Sequence, residues 1–171
     1  MTRVAIIGNA GGGKSTLARR LGARLAVPVY QVDLLQWQPG WQPAPAEVIG
    51  ATHDHWLAQP AWVIDGWGSW AALAQRFERA DTIILVDFPL AIHYWWALKR
   101  QVRSVLRPGG DWPPPGCAAL PVTGRLMRLM WRIHWEMRPR LLALADSYRA
   151  GRQVLILQSP AQLRRFIEAE C

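Results

Sequence analysis

The sequence predicts an α/β domain in which a five-stranded parallel sheet carries helices on both faces. Two observations lead there. Continuous apolar runs, the pattern of strands buried on both sides, recur as Val4-Ala5-Ile6-Ile7, Trp62-Val63-Ile64 and Thr82-Ile83-Ile84-Leu85-Val86. Between them stand stretches of helical spacing, the first marked by Leu17, Leu21 and Leu25 at i, i+4 and i+8.

Taken in order, the first strand, Val4–Ile7, runs through a glycine-rich stretch into a helix over Ser15–Leu25, which Pro28 stops. Val29–Val32 is the second strand, ending at Asp33. Pro39, Gly40, Pro43 and Pro45 then interrupt any period, leaving one helix over Ala46–Ala58. The third strand ends at Asp65-Gly66 and a helix from about Ser69 to Arg79 follows. The fourth strand ends at Asp87, before Phe88-Pro89. A basic helix over Leu90–Leu106 runs into RPGGDWPPPGC, whose prolines and glycines exclude regular structure. A second basic helix, Thr123–Tyr148, is expected to kink at Pro139. Gln153–Gln158 is the fifth strand, and Pro160–Ala169 the closing helix with proline in its first turn. With no internal repeat and no linker, residues 1–171 are expected to form one domain.

Half of the residues are apolar, which excludes a disordered chain. No run approaches the roughly 18 apolar residues of a membrane span, and the N-terminus lacks a secretory pattern. A soluble cytoplasmic protein with no membrane partner is therefore expected. Cys117 and Cys171 are too few for a disulfide framework. The net charge of +8 is concentrated: Lys99 to Arg140 holds nine basic and two acidic residues. Such concentration points to an anionic partner, either ligand phosphates or a nucleic-acid backbone. The 11 tryptophans are expected mainly to pack.

The most specific local signal is GNAGGGKST, residues 8–16, which satisfies G-x-x-x-x-G-K-[ST] between a strand and a helix. This is the P-loop pattern, and each letter has a physical reason. Gly8, Gly11, Gly12 and Gly13 let successive backbone N–H groups turn inward around phosphate oxygens, while the helix start adds its positive dipole end. Lys14 is one of two lysines among 18 arginines. A flexible ammonium follows the β- and γ-phosphates where a planar guanidinium does not. Ser15 is expected on Mg²⁺ and Thr16 at the α-phosphate. Asp33, Asp65 and Asp87 all end strands, where ligands of open α/β sheets bind. One is expected to hold Mg²⁺ or its waters, another to face the phosphoryl acceptor.

With YQVDLLQWQPGW, WVIDGW and DTIILVDFP following the P-loop in that order, nearly the whole chain resembles the small P-loop kinase-like proteins called DNA topology modulation proteins, distant relatives of adenylate and shikimate kinases. The resemblance implies a three-layer P-loop fold of strand order 2-3-1-4-5, an acceptor-side segment over 34–60 and a basic helical lid over about 99–140. It implies that Asp33 faces the acceptor, that Asp65 is the Mg²⁺-associated acid and that Arg76 stabilises charge nearby. It also implies a lid cluster from Arg100, Arg103 and Arg107 with Arg125, Arg128 and Arg132, and an adenine-side loop at Gln158, Ser159 and Pro160. Family members usually continue Asp-Gly into Asn-Tyr, whereas Asp65-Gly66 here continues into Trp67-Gly68.

The expected function is thus an ATP·Mg²⁺-dependent, nucleoside-monophosphate-kinase-like transfer of the γ-phosphoryl group to a small acceptor, a nucleotide or metabolite. Its catalytic residues would be Lys14, Asp33, Asp65, Arg100, Arg103, Arg125 and Arg128. The alternative is a nucleotide-dependent nucleic-acid-binding protein that grips DNA through the Arg-rich helices. His53 and His55 point about 200° apart on a helix and do not form a metal pair. His93 and His134 are expected to pack. The stretch HYWWALKRQVRSVL has the composition of an interfacial helix but is expected to form the base of the lid.

Overall fold

The structure, a computed structural model, describes residues 1–106 and 112–170. Arg107, Asp111 and Cys171 lie outside the described residues. The order of elements is β1 (Arg3–Gly8), α1 (Lys14–Leu25), β2 (Val29–Gln31), α2 (Val32–Leu35), β3 (Trp37–Gln38), β4 (Gln42–Pro43), α3 (Ala46–Ala58), β5 (Trp62–Asp65), α4 (Trp70–Arg79), β6 (Thr82–Val86), α5 (Leu90–Leu106), α6 (Thr123–Arg132), α7 (Arg138–Asp146), β7 (Gln153–Leu157) and α8 (Pro160–Glu170).

Five strands form one parallel sheet in the order β2-β5-β1-β6-β7. Counting those five strands along the chain, this is the expected order 2-3-1-4-5. Strand alternation sorts β1 between two cores. Val4 and Ile6 face Leu17, Leu21 and Leu163 of α1 and α8, while Ala5 and Ile7 face Leu73, Phe77, Leu141 and Ala145 of α4 and α7. All four β1 residues are fully buried. That explains a strand with no polar face, and truncating Ile6 or Ile7 to alanine would cost about 2–5 kcal/mol. The register pairs Ile6 with Asp65 and Gly8 with Val86, so the ends of β5 and β6 flank the start of the glycine loop.

Three local departures have physical causes. β2 ends at Gln31 rather than at Asp33, because Asp33 lies in the one-turn α2, packed beside Gly66. The segment after it is not wholly irregular: β3 and β4 pair as a minimal antiparallel hairpin around the turn at Pro39–Trp41. The helix expected over Thr123–Tyr148 is divided by a turn of π-helix, Ile133–Met137, and α7 begins immediately afterwards with Pro139 in its first turn. Proline has no N–H for the carbonyl of residue 135 and crowds it, so the widened turn absorbs the mismatch upstream of the ring.

Candidate functional site

The glycine loop is held by contacts within itself and to α5 and α6. Gly13 sits at φ 78°, a left-handed conformation that caps α1, and Leu17 N–H donates to its carbonyl to start the helix. A β-carbon on Gly11, at φ 69°, would come within 2.4 Å of the His93 carbonyl oxygen, so only glycine lets the loop lie this close to α5. Lys14 is buried, and its Nζ donates to the Asn9 carbonyl at 2.9 Å. Asn9 in turn donates from Nδ2 to the Met130 carbonyl of α6 at 2.8 Å and accepts the Ala10 N–H on Oδ1. His93 Nδ1 lies 3.0 Å from the Ala10 carbonyl. Burial, and then the Lys14 charge, push His93 down to about 4, so the ring is neutral at pH 7. A carbonyl only accepts, hence Nδ1 carries the proton.

Asp65 is where the sheet order meets the loop. Ser15 Oγ donates to its Oδ2 at 2.7 Å, while Oδ1 is buried without a partner. Burial pushes the carboxyl up, opposed by the Lys14 charge, the Ser15 hydrogen bond and Arg76. The fully buried Arg76 donates to the carbonyls of Gly66, at 2.6 Å, and Trp67, at 2.9 Å. It is therefore committed to the turn after β5 and forms no part of the cleft wall. Desolvation lowers it to about 10, which leaves it charged at pH 7. The turn is also tied to the loop by Trp67, whose Nε1 donates to the Gly8 carbonyl at 3.0 Å. Asp33 is exposed, its Oδ1 3.4 Å from the Trp67 N–H.

Around these groups opens a cleft of about 850 Å³. One wall is the glycine loop with Lys14, Ser15, Thr16 and Arg19; Gln31, Asp33 and Leu34 form a second; Trp96, Lys99, Arg100 and Arg103 of α5, with Trp112, form a third. Leu163 and Ile167 of α8 close the apolar end. Arg100 lies 4.3 Å from the Trp112 ring centroid. Burial lowers its basicity, against the opposing pull of Asp33 and Asp65. Trp112 also stacks at a tilt on Trp41, 5.5 Å between centroids. Trp41 Nε1 donates to the Ala118 carbonyl and Gly40 N–H to that of Gly116. The β3–β4 hairpin and the segment after residue 111 are thus joined over the cleft.

Several expected site residues are elsewhere. Asp87 does not enter the cleft, because Arg138 Nε and Nη2 hold its two oxygens at 2.5 and 2.7 Å. Arg125 and Arg128 are exposed on α6 and form no part of the cleft wall. That helix buries Met130 and leans on α5, which leaves its arginines on the opposite side. Ser159 and Pro160 stay at the start of α8, where Ser159 Oγ accepts the Gln162 N–H; Leu163 and Ile167 reach the cleft instead. Sequence reasoning missed Asn9, Trp67 and Trp112, whereas His93 packs as expected, stacked on Phe88. The only prior sign of Trp67 was its place directly after Asp65-Gly66.

No protein-family model matches the chain, and no curated protein matches it. Solved structures do. The fold is similar to that of shikimate kinase from Acinetobacter baumannii in complex with shikimate, with TM-score 0.54 and 16% identity over 99% of this chain and 90% of that one. It is also similar to shikimate kinase from Bacteroides thetaiotaomicron, with TM-score 0.50 and 15% identity over 98% and 95% of the two chains. At such identities the likeness establishes the fold alone, a three-layer α/β fold around a parallel five-stranded sheet.

Proposed function

We propose that this protein is an ATP·Mg²⁺-dependent phosphotransferase that moves the γ-phosphoryl group to a small acceptor, a nucleotide or a hydroxylated metabolite. One observation carries it: Lys14 and Ser15, the latter bonded to the buried Asp65, line a cleft whose other wall carries Arg100 and Arg103. The fold, shared with kinases, supports it.

The residues fit the groups the reading requires. The glycine cradle suits phosphate oxygens, and the partnerless Asp65 Oδ1 beside the Ser15 hydroxyl suits Mg²⁺ or its water shell. When bound, the metal would neutralise charge on the phosphates. Lys14 would exchange the Asn9 carbonyl for phosphate oxygens, and the loop amides would hold the β-phosphate. Arg100 and Arg103 would neutralise charge on the equatorial oxygens. Asp33, the exposed carboxylate among the described residues of the cleft, would orient the acceptor hydroxyl and take its proton as the new P–O bond forms and the bond to the ADP oxygen breaks. Arg125 and Arg128, outside the cleft, would act only if the lid moved.

Tracing the label of γ-labelled ATP tests this. Transfer to an acceptor from a panel of nucleoside monophosphates, nucleosides and hydroxylated metabolites is the expected result. Label found solely in inorganic phosphate, whatever acceptor is offered, would make the protein an ATPase.

A further inference from the structure

Among the described residues, nine of the twelve large apolar side chains left exposed lie between Trp95 and Trp135. The excess positive charge lies in nearly the same part of the chain. On α5 these are Trp95, Leu98, Val102, Val105 and Leu106, half to three-quarters exposed. Their spacing, i, i+3, i+7, i+10 and i+11, makes one stripe along the helix. It lies away from His93 and Ala97, which pack on the glycine loop, and from Trp96, Arg100 and Arg103, which face the cleft. On α6 and the turn after it, Leu129, Trp131 and Trp135 are exposed among Arg125, Arg128 and Arg132.

The two faces are neighbours. Tyr94 Oη donates to the Met127 carbonyl and Gln101 Nε2 to Thr123 Oγ1. Leu98, Val105 and Trp131 stand one helical turn from Tyr94, Gln101 and Met127, so the stripe of α5 runs beside the exposed face of α6.

We propose that this face binds the surface of a membrane containing anionic lipids, with the helices lying on the bilayer. Among the described residues no helix is long and apolar enough to cross it. Charge complementarity selects the partner. Between Lys99 and Arg140 the only described carboxylate is Glu136, and Arg132 already holds it at 3.3 Å. A second copy docked through the same face would set Arg125, Arg128 and Arg132 against their own likeness. A nucleic acid would satisfy those arginines but leave Leu98, Val102, Val105 and Leu106 with nothing apolar to cover them. Anionic headgroups over an acyl boundary satisfy both, with tryptophan at the level between. The cleft faces another side of α5 and stays open, so the proposal stands apart from the phosphotransfer reading.

Cosedimentation of the full chain with vesicles of phosphatidylcholine, with and without phosphatidylglycerol, tests it. Binding is expected to anionic vesicles, weaker as salt is raised, with tryptophan emission shifting to the blue. Leu98→Asp/Val102→Asp and Arg125→Glu/Arg128→Glu should each reduce partitioning at least ~10-fold. Circular dichroism checks that both remain folded, and if one does not, the other decides. Absence of binding to anionic vesicles by the native chain overturns the proposal, as does binding that a folded Leu98→Asp/Val102→Asp variant retains in full. Two further results in the absence of vesicle binding would reassign the face. Oligonucleotide binding lost only with the arginines would assign it to nucleic acid, and a dimer broken by Leu98→Asp/Val102→Asp would assign it to a second copy.

Discussion

At Asp65 stability and the proposed function pull in opposite directions. The carboxyl is nearly fully buried, one oxygen is bonded to Ser15 and the other to nothing. Burial disfavours its charge, and the nearby Lys14 ammonium is the largest influence restoring it. A group kept at such cost without a full set of partners fits a bound cation better than a scaffold. Asp65→Asn keeps the volume and an acceptor for Ser15 while removing the buried charge. The expected outcome is an unfolding temperature at or above that of the native chain, with Mg²⁺-dependent ADP formation reduced by about 10²-fold. Thermal unfolding and ADP release, measured on the same preparations, check both halves. Trp67→Phe removes the indole donor to Gly8 and should cost about 1 kcal/mol in urea unfolding, because that hydrogen bond joins the β5 turn to the loop.

Between elements, two contacts tie the loop's surroundings to the helices behind it. Asn9 reaches the α6 carbonyl of Met130, and Asp87 at the end of β6 clamps Arg138 at the start of α7. The second contact is paired and outside the cleft. Asp87→Ala is therefore expected to destabilise the protein by about 1–3 kcal/mol and to leave the Mg²⁺ requirement of turnover unchanged. Urea unfolding and a Mg²⁺ titration of ADP release decide the matter, since a raised Mg²⁺ requirement would place Asp87 at the metal instead. These contacts also mark how far the sequence was legible. The strands could be read because their runs are short, apolar and bounded by Gly, Pro or Asp, and the glycine loop because consecutive residues build it. Spacing alone did not separate the roles of the three aspartates; the family resemblance assigned Asp33 and Asp65 and left Asp87 without one. What distinguishes them is spatial: β5 lies beside β1 with Asp65 opposite Ile6, while the partner of Asp87 is 51 residues downstream. Helical spacing likewise placed Arg125 and Arg128 on one face without saying whether that face met the cleft. The tryptophans, read as packing, include Trp67 on the loop and Trp112 over Arg100 because an indole N–H and a ring face each find partners that no spacing encodes.

For the whole molecule, two buried histidines set the acid limit of stability. His53 is lowered to about 4 by burial and then by Arg76 and Arg79; His93 is lowered to about 4 by burial and then by Lys14. Both ordinary values are near 6.5, so between pH 6.5 and 4 the unfolded chain binds more protons than the native one. Stability should be level above pH 7 and fall through that window by a few kcal/mol, which thermal melts across pH would read. His53→Gln should shallow the fall, and an unchanged slope would remove His53 from the account. If residues 1–171 are one domain, as expected, each melt is a single cooperative transition. The central claim is that the cleft between the glycine loop and α5 transfers phosphate. The most direct test is ADP release from ATP·Mg²⁺ with each of a panel of acceptors, for the native chain and for Lys14→Ala. In the native chain one acceptor is expected to raise ADP release at least ~10-fold, a barrier change of about 1.4 kcal/mol, with no such rise in Lys14→Ala. Acceptor-stimulated release that survives in Lys14→Ala, or its absence across the panel in the native chain, would contradict it.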